Sequence, residues 1–246
     1  MRDKGFTLIE MILAIVVSSI VLLGVANFTE LGIRGYFGSV ERFRLQTEAR
    51  FVLEKLSREV RHAVPNIFPS AVSSGCVSFY PIVDSGFYSV SGSDINFLVS
   101  DTGATSASLQ ALSLVINPTQ PQTPLRLDSE TSGGVNNVFA LTDVTSLSTQ
   151  DFFTIPSGAV SLIGGSVSNR HYVFDKNNLV EYCLAANHFL TRNGMTISDR
   201  IVVENSDLSY QPATVQSNGL VEVVLEFAEN NESTLFEQDI QVINVP

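Results

Sequence analysis

The 246-residue sequence has only three histidines, His62, His171 and His188, and only two cysteines, Cys76 and Cys183. No two histidines stand four apart, and the cysteines are too distant from each other for a zinc pattern, so no metal centre is expected. A phosphate-binding glycine loop is also absent: Gly164-Gly165-Ser166 lacks the lysine and the following helix signal. No serine occupies a nucleophile-elbow motif. His171 falls in an alternating stretch and reads as an exposed or hydrogen-bonded residue rather than a base. Asp84, Asp94 and Asp101 lie in loop-rich sequence of an acidic chain, so a calcium site there is conceivable, although the ligand spacing of a calcium loop is missing. The expectation is a chain that is not an enzyme and carries no cofactor.

Positive charge is scarce. Fourteen Lys and Arg face 25 Asp and Glu, for a net charge of −11. Such a chain repels nucleic-acid phosphates, so no nucleic-acid partner is expected. Proline is missing until Pro65. A helix can therefore start at Phe6 and run 58 residues, to about Ala63, because Pro65 disfavours helical geometry at Val64. At 1.5 Å per residue that is roughly 87 Å, far more than a bilayer needs. Internal repeats and interdomain linkers are absent as well.

What the sequence does have is an apolar start. Phe6 to Ala26 is 21 residues with a single charge, Glu10. About 20 apolar residues span a bilayer as helix. A carboxylate inside such a span costs about 2.5–3.5 kcal/mol on insertion scales, which asks for a reason. Arg2 and Lys4 precede the run, so the positive-inside rule places the N-terminus in the cytoplasm and the bulk of the chain outside.

Gly5 followed by Phe6-Thr7-Leu8-Ile9-Glu10, with a short basic leader and a long apolar stretch, resembles the N-terminus of type IV prepilins. The resemblance implies that a prepilin peptidase cuts after Gly5 and N-methylates the new terminal Phe6. It also implies that Glu10 faces the terminal amine of a neighbouring pilin subunit in a helical fibre. There the carboxylate has a cationic partner, whereas alone in the inner membrane it has none. The plainer alternative is an ordinary signal anchor with a stray Glu. The expected organisation is a leader over 1–5, a transmembrane helix over 6–28, an amphipathic continuation over 29–64 and a periplasmic head over 65–246.

Within the continuation, Ala49, Val52, Leu53, Leu56, Val60 and Ala63 form one apolar stripe for packing on the head. Arg50/Glu54, Glu54/Arg58 and Lys55/Glu59 stand four apart on other faces. Tyr36, Val40, Phe43, Thr47 and Phe51 make a second stripe almost opposite Leu45, Val52 and Leu56. A helix apolar on two sides usually has two partners. Neighbouring pilin helices are one candidate for the second stripe; loops of the same head are the other. Gly24, Gly32, Gly35 and Gly38 each cost about 1 kcal/mol in a helix interior. They mark either a soft section or close helix–helix packing. Because pilins of this family have a segment that can unwind in the fibre, the resemblance implies bending or melting there.

Beyond Pro65, β-like runs alternate with Ser, Gly, Asn and Pro. They begin at Cys76, Ile95, Leu112, Val138, Asp151, Arg170 and Leu179. Val221, Val223, Leu225 and Phe227 alternate with wetter neighbours, turn over 228–233 and return through Phe236, Ile240 and Val242, a C-terminal hairpin. The stretch 100–134 reads as long loops. The fold class is α+β, one long helix packed on an antiparallel β-rich head of one sheet or two. Outside the membrane, in an oxidising periplasm, Cys76 and Cys183 pair most simply as a disulfide, the alternative being two buried thiols.

About 180 residues of head is large for a major pilin, which favours a minor pilin or pseudopilin. Arg170-His-Tyr-Val-Phe, Leu179-Val-Glu-Tyr-Cys-Leu and the ending Leu235 to Pro246 resemble minor pilins of the mannose-sensitive haemagglutinin (MSHA) pilus. The implied role is a subunit at or near the tip that primes assembly. The large J-type pseudopilin of a type II secretion system and a tip adhesin are the alternatives.

Overall fold

The computed structural model describes residues 7–69, 75–118, 137–146, 152–186, 188–213, 218–230 and 232–242. Gly5 and Phe6, and with them the expected cleavage site, lie outside these residues. Helix α1 spans Leu8–Arg61, 54 residues, about 81 Å of helix. Thr7 caps it: its backbone is extended and its hydroxyl oxygen accepts the Glu10 N–H at 3.4 Å. Arg58 and Arg61 stand in the last turn, where the helix dipole favours cations. The helix stops two residues short of Ala63 because sheet pairing takes over. Ala63 bridges Pro81, the Val64 N–H donates to the Tyr80 carbonyl at 2.8 Å, and the Ile82 N–H donates to the His62 carbonyl at 2.9 Å.

The helix is continuous through Gly24, Gly32, Gly35 and Gly38, so no melted section interrupts it in the isolated subunit. A cost of about 1 kcal/mol per glycine weakens a long hydrogen-bonded ladder without breaking it. A Cβ added at any of the four would meet nothing within 4 Å. Close packing within the subunit is therefore not what these glycines serve.

Among the described residues the head has three antiparallel sheets rather than one or two. A four-stranded sheet joins β1 (Cys76–Phe79), β9 (Val180–Ala185), β10 (Phe189–Arg192) and β11 (Met195–Ser198) in that order. A three-stranded sheet runs β12 (Asp207–Gln211), β13 (Leu220–Glu229), β14 (Glu232–Gln241). The third has seven strands: β2 (Ile82–Ser91), β3 (Asp94–Phe97), β4 (Ser113–Ile116), β5 (Val138–Ala140), β6 (Thr145–Ser146), β7 (Phe153–Ile155) and β8 (Arg170–Phe174). Its spatial order is β5-β4-β8-β2-β3-β7-β6. All seven lie in sequence between β1 and β9, which pair directly with each other. The seven-stranded sheet is thus a lobe inserted into the sheets that carry the helix.

The C-terminal hairpin forms as the alternation predicts, with Glu229 opposite Glu232. Its turn is tighter than 228–233: Ala228 still pairs with Ser233, and Asn230 takes a φ of 53°, which asparagine tolerates. Strand β2 carries little strand signal, since Asp84, Gly86 and three serines interrupt its apolar residues. Gly86 is required there. A Cβ would lie 1.9 Å from the Leu98 carbonyl oxygen. The expected loops over 100–134 contain α2 (Ser106–Leu109) and β4, and the part over 119–136 lies outside the described residues.

Leu45, Ala49, Val52, Leu56 and Val60 of α1 are buried against Val77, Phe79, Tyr182, Val221, Val223, Leu225, Phe227 and Ile240. The inserted lobe has a separate core, including Ile95, Phe97, Leu114, Phe139 and Val173. Val64, Ile67, Tyr80, Val115, Val138 and Phe174 fill the junction.

Candidate assembly surface

The first part of α1 is bare. Its most apolar 18-residue window has a mean hydropathy of 2.7 and none of it is buried, so the helix is long and apolar enough to cross a membrane. Glu10 stands in the first turn, a favourable place for a carboxylate near the helix dipole. Among the described residues no cation lies within ion-pair distance of it.

Further along, polar contacts flanking the buried stripe fix the rotation of the helix. Arg42 meets Glu232 at 3.2 Å, Arg44 meets Glu229 at 3.8 Å, and the Asn230 amide donates to Glu41 at 2.7 Å. Glu48 pairs with Arg200 and accepts the Ser198 hydroxyl at 2.6 Å, while Arg200 also reaches Glu229 at 3.1 Å. Nearer the C-terminus, Glu59 accepts from Arg192 at 2.8 Å and Lys55 at 3.0 Å. Partial burial pushes the Glu59 carboxyl up, but hydrogen bonds from Arg192 and then Lys55 outweigh it and hold it below the usual range. The expected Glu54–Arg58 pair forms at 3.2 Å; Arg50–Glu54 does not appear among the described ion pairs.

With the rotation fixed, the second stripe faces away. Tyr36 is 68% exposed, Phe43 71%, Phe51 59% and Val40 43%. The Thr47 hydroxyl donates back to the Phe43 carbonyl at 2.8 Å, which leaves the stripe without a polar demand at its centre. No described part of the head covers these residues. Of the two partners weighed for this face, loops of the same head are excluded among the described residues.

Cys76 and Cys183 are directly opposite in the β1–β9 register and form a disulfide. It closes a 107-residue separation that contains the whole inserted lobe. Glu181 lies close to both sulfurs, but they are bonded to each other.

Two other readings need correction. His171 is neither exposed nor hydrogen-bonded: it is fully buried on β8, and neither ring nitrogen has a partner. Burial dominates and lowers it to about 4, although the Asp84 carboxylate acts in the opposite direction. The arginine and tyrosine beside it alternate outward, so the pleat turns the ring into the core. The three aspartates do not gather. Asp84 lies in β2 and accepts N–H groups of Ser85, Ser100 and Asp101; Asp94 begins β3 and accepts the Ser157 N–H; Asp101 accepts the Gly103 N–H.

An exposed apolar helix that carries a carboxylate in its first turn and docks its second half on an antiparallel β head is the α+β organisation expected from the sequence. Residues 1–26 match the family model described as the prokaryotic N-terminal methylation motif, a type IV prepilin-like segment of about a tenth of the chain. No curated protein and no solved structure matches the chain.

Proposed function

We propose that the chain is a minor type IV pilin, processed after Gly5, N-methylated on Phe6 and built into a fibre through α1. The observation that carries this reading is Glu10: a carboxylate in an exposed apolar helix, with no cation within ion-pair distance among the described residues, inside a methylation motif. A neighbouring subunit's terminal amine is the group that would neutralise it. Before assembly the N-terminus is cytoplasmic and the head periplasmic, as Arg2 and Lys4 favour. The partners are then prepilin peptidase, the inner membrane and other pilins. No catalytic step is assigned to the chain.

The finer assignment, an MSHA-type minor pilin resembling MshO that primes assembly or sits at the tip, is supported by the stretches at 170–174, 179–184 and 235–246 and by the large head. The Glu10→Val variant tests the mechanism in cells. It should insert in the membrane normally yet be absent from sheared fibres; incorporation at the wild-type level would overturn the reading.

A further inference from the structure

His171 sits on β8, between β4 and β2 in the seven-stranded sheet. Its ring meets Phe97 edge-on at a centroid distance of 5.3 Å. Gly86 lies opposite it on β2 and Ile116 on β4. A Cβ on Gly86 would stand 3.2 Å from the His171 Cε1, so the backbone already closes that side. Neutral imidazole has one donor and one acceptor; imidazolium has two donors. The site provides an acceptor for neither.

Among the described residues, the charged group that acts on the ring is Asp84, on β2. That carboxylate is already committed. It accepts the N–H of Ser85 at 2.6 Å, the N–H of Ser100 at 2.8 Å, the N–H of Asp101 at 3.1 Å, and the Ser100 hydroxyl. Burial raises it, but the Ser100 hydrogen bonds and the other two N–H groups hold it below its ordinary value. β4 offers Ile116 and β3 offers Phe97, neither of which titrates. Arg170 and Tyr172 lie on the opposite face of β8.

We propose that His171 is an acid-sensitive latch of the inserted lobe: protonating its buried ring, for which the fold supplies no acceptor, releases β8 from β2 and β4 while the helix-backed sheets stay closed. The closed lobe holds the ring neutral down to about pH 4, whereas an opened lobe takes the proton near the ordinary 6.5. The closed form is therefore fully favoured above pH 6.5 and progressively loses that advantage as the pH falls towards 4. The other histidines do not repeat this. His62 and His188 are at the surface, and His188 Nδ1 has the Ile201 carbonyl at 2.9 Å.

Amide hydrogen exchange of the full chain in detergent micelles, corrected for intrinsic rates, tests the latch at pH 7 and pH 5. Protection in β2, β4 and β8 should drop about twenty-fold at the lower pH, with β9 and β13 unchanged. His171→Leu should keep the lobe protected at pH 5. If that variant does not fold, Cε1–H exchange of the wild-type His171 decides, and it must titrate well below the ordinary 6.5. Equal protection at both pH values, an equal loss in all three sheets, a loss unchanged by His171→Leu, or an ordinary titration of His171 would each overturn the latch.

Discussion

The helix-backed sheets and the inserted lobe close their cores by different means. The first lean on α1, whose stripe from Leu45 to Val60 supplies one wall of an aliphatic and aromatic core. Phe68 stacks on Tyr210 at 4.0 Å and Phe79 lies over Tyr182 in the same core. The Tyr182 hydroxyl stands beside the Glu59–Arg192 pair without hydrogen-bond geometry to it. Burial first, and that carboxylate next, push it up. Among its described residues the lobe has the four-residue α2 as its one α-helix, besides two short 3-10 turns, and tolerates a buried histidine without a partner. In the proposed pilin role, looseness is tolerable in the part that the long helix does not touch. The helix-bearing part must hold its rotation, since that rotation decides which face is left for a neighbour.

The disulfide is the largest single constraint on this division. The lobe leaves the helix-backed sheets through β1 and returns through β9, and Cys76–Cys183 ties those strands together at the end away from the lobe. Closing so long a loop restricts the unfolded chain by up to nearly 5 kcal/mol in the entropy model. Replacing both cysteines by serine should lower unfolding stability by about 2–5 kcal/mol, read from denaturant midpoints of the full chain. A loss below about 1 kcal/mol would mean that β1–β9 pairing fixes the neck without the bond.

Truncating one core leucine in each region asks whether the two are energetically separate. Leu56 and Leu114 are both fully buried. Leu56→Ala and Leu114→Ala should each cost about 2–5 kcal/mol. The patterns should differ in hydrogen exchange: Leu56→Ala loosens α1 and both helix-backed sheets, and Leu114→Ala loosens the seven-stranded sheet alone. Identical patterns would show one cooperative unit and dissolve the contrast.

Much of this was legible in the residues. The helix, its buried stripe and the β13–β14 hairpin follow from periodicity, because each is amphipathic with a regular period. The cysteine pairing follows from compartment and count. The insertion did not show, since nothing in a sequence marks that β1 skips some hundred residues to pair with β9. Nor did β2, whose Gly86 is placed for a neighbour's backbone rather than for strand propensity. His171 was misread for a related reason. Arg170 and Tyr172 make an alternating pattern around it, and alternation cannot say which of two faces meets a core when both carry polar residues. For the candidate site, the motif at Gly5, Phe6 and Glu10 and the stripe through Phe43 were visible. That the head leaves this stripe bare was not, because coverage depends on tertiary rotation.

The smallest expected change in stability goes with a large expected change in behaviour. Phe43 and Phe51 are on the same helix as Val52, but Val52 is 1% exposed while the two phenylalanines are more than half exposed. Serine and phenylalanine have similar intrinsic helix propensity, so Phe43→Ser with Phe51→Ser removes apolar surface without weakening the helix itself. The double variant should keep its unfolding midpoint within about 0.5 kcal/mol of the parent. Val52→Ser should be clearly destabilised, because it puts a hydroxyl with no partner into the core. In cells the ranking should invert: the phenylalanine variant folds and inserts, yet is depleted from fibres. Normal incorporation would show that the exposed stripe does not meet a neighbour, and the outward face of α1 would then need another occupant.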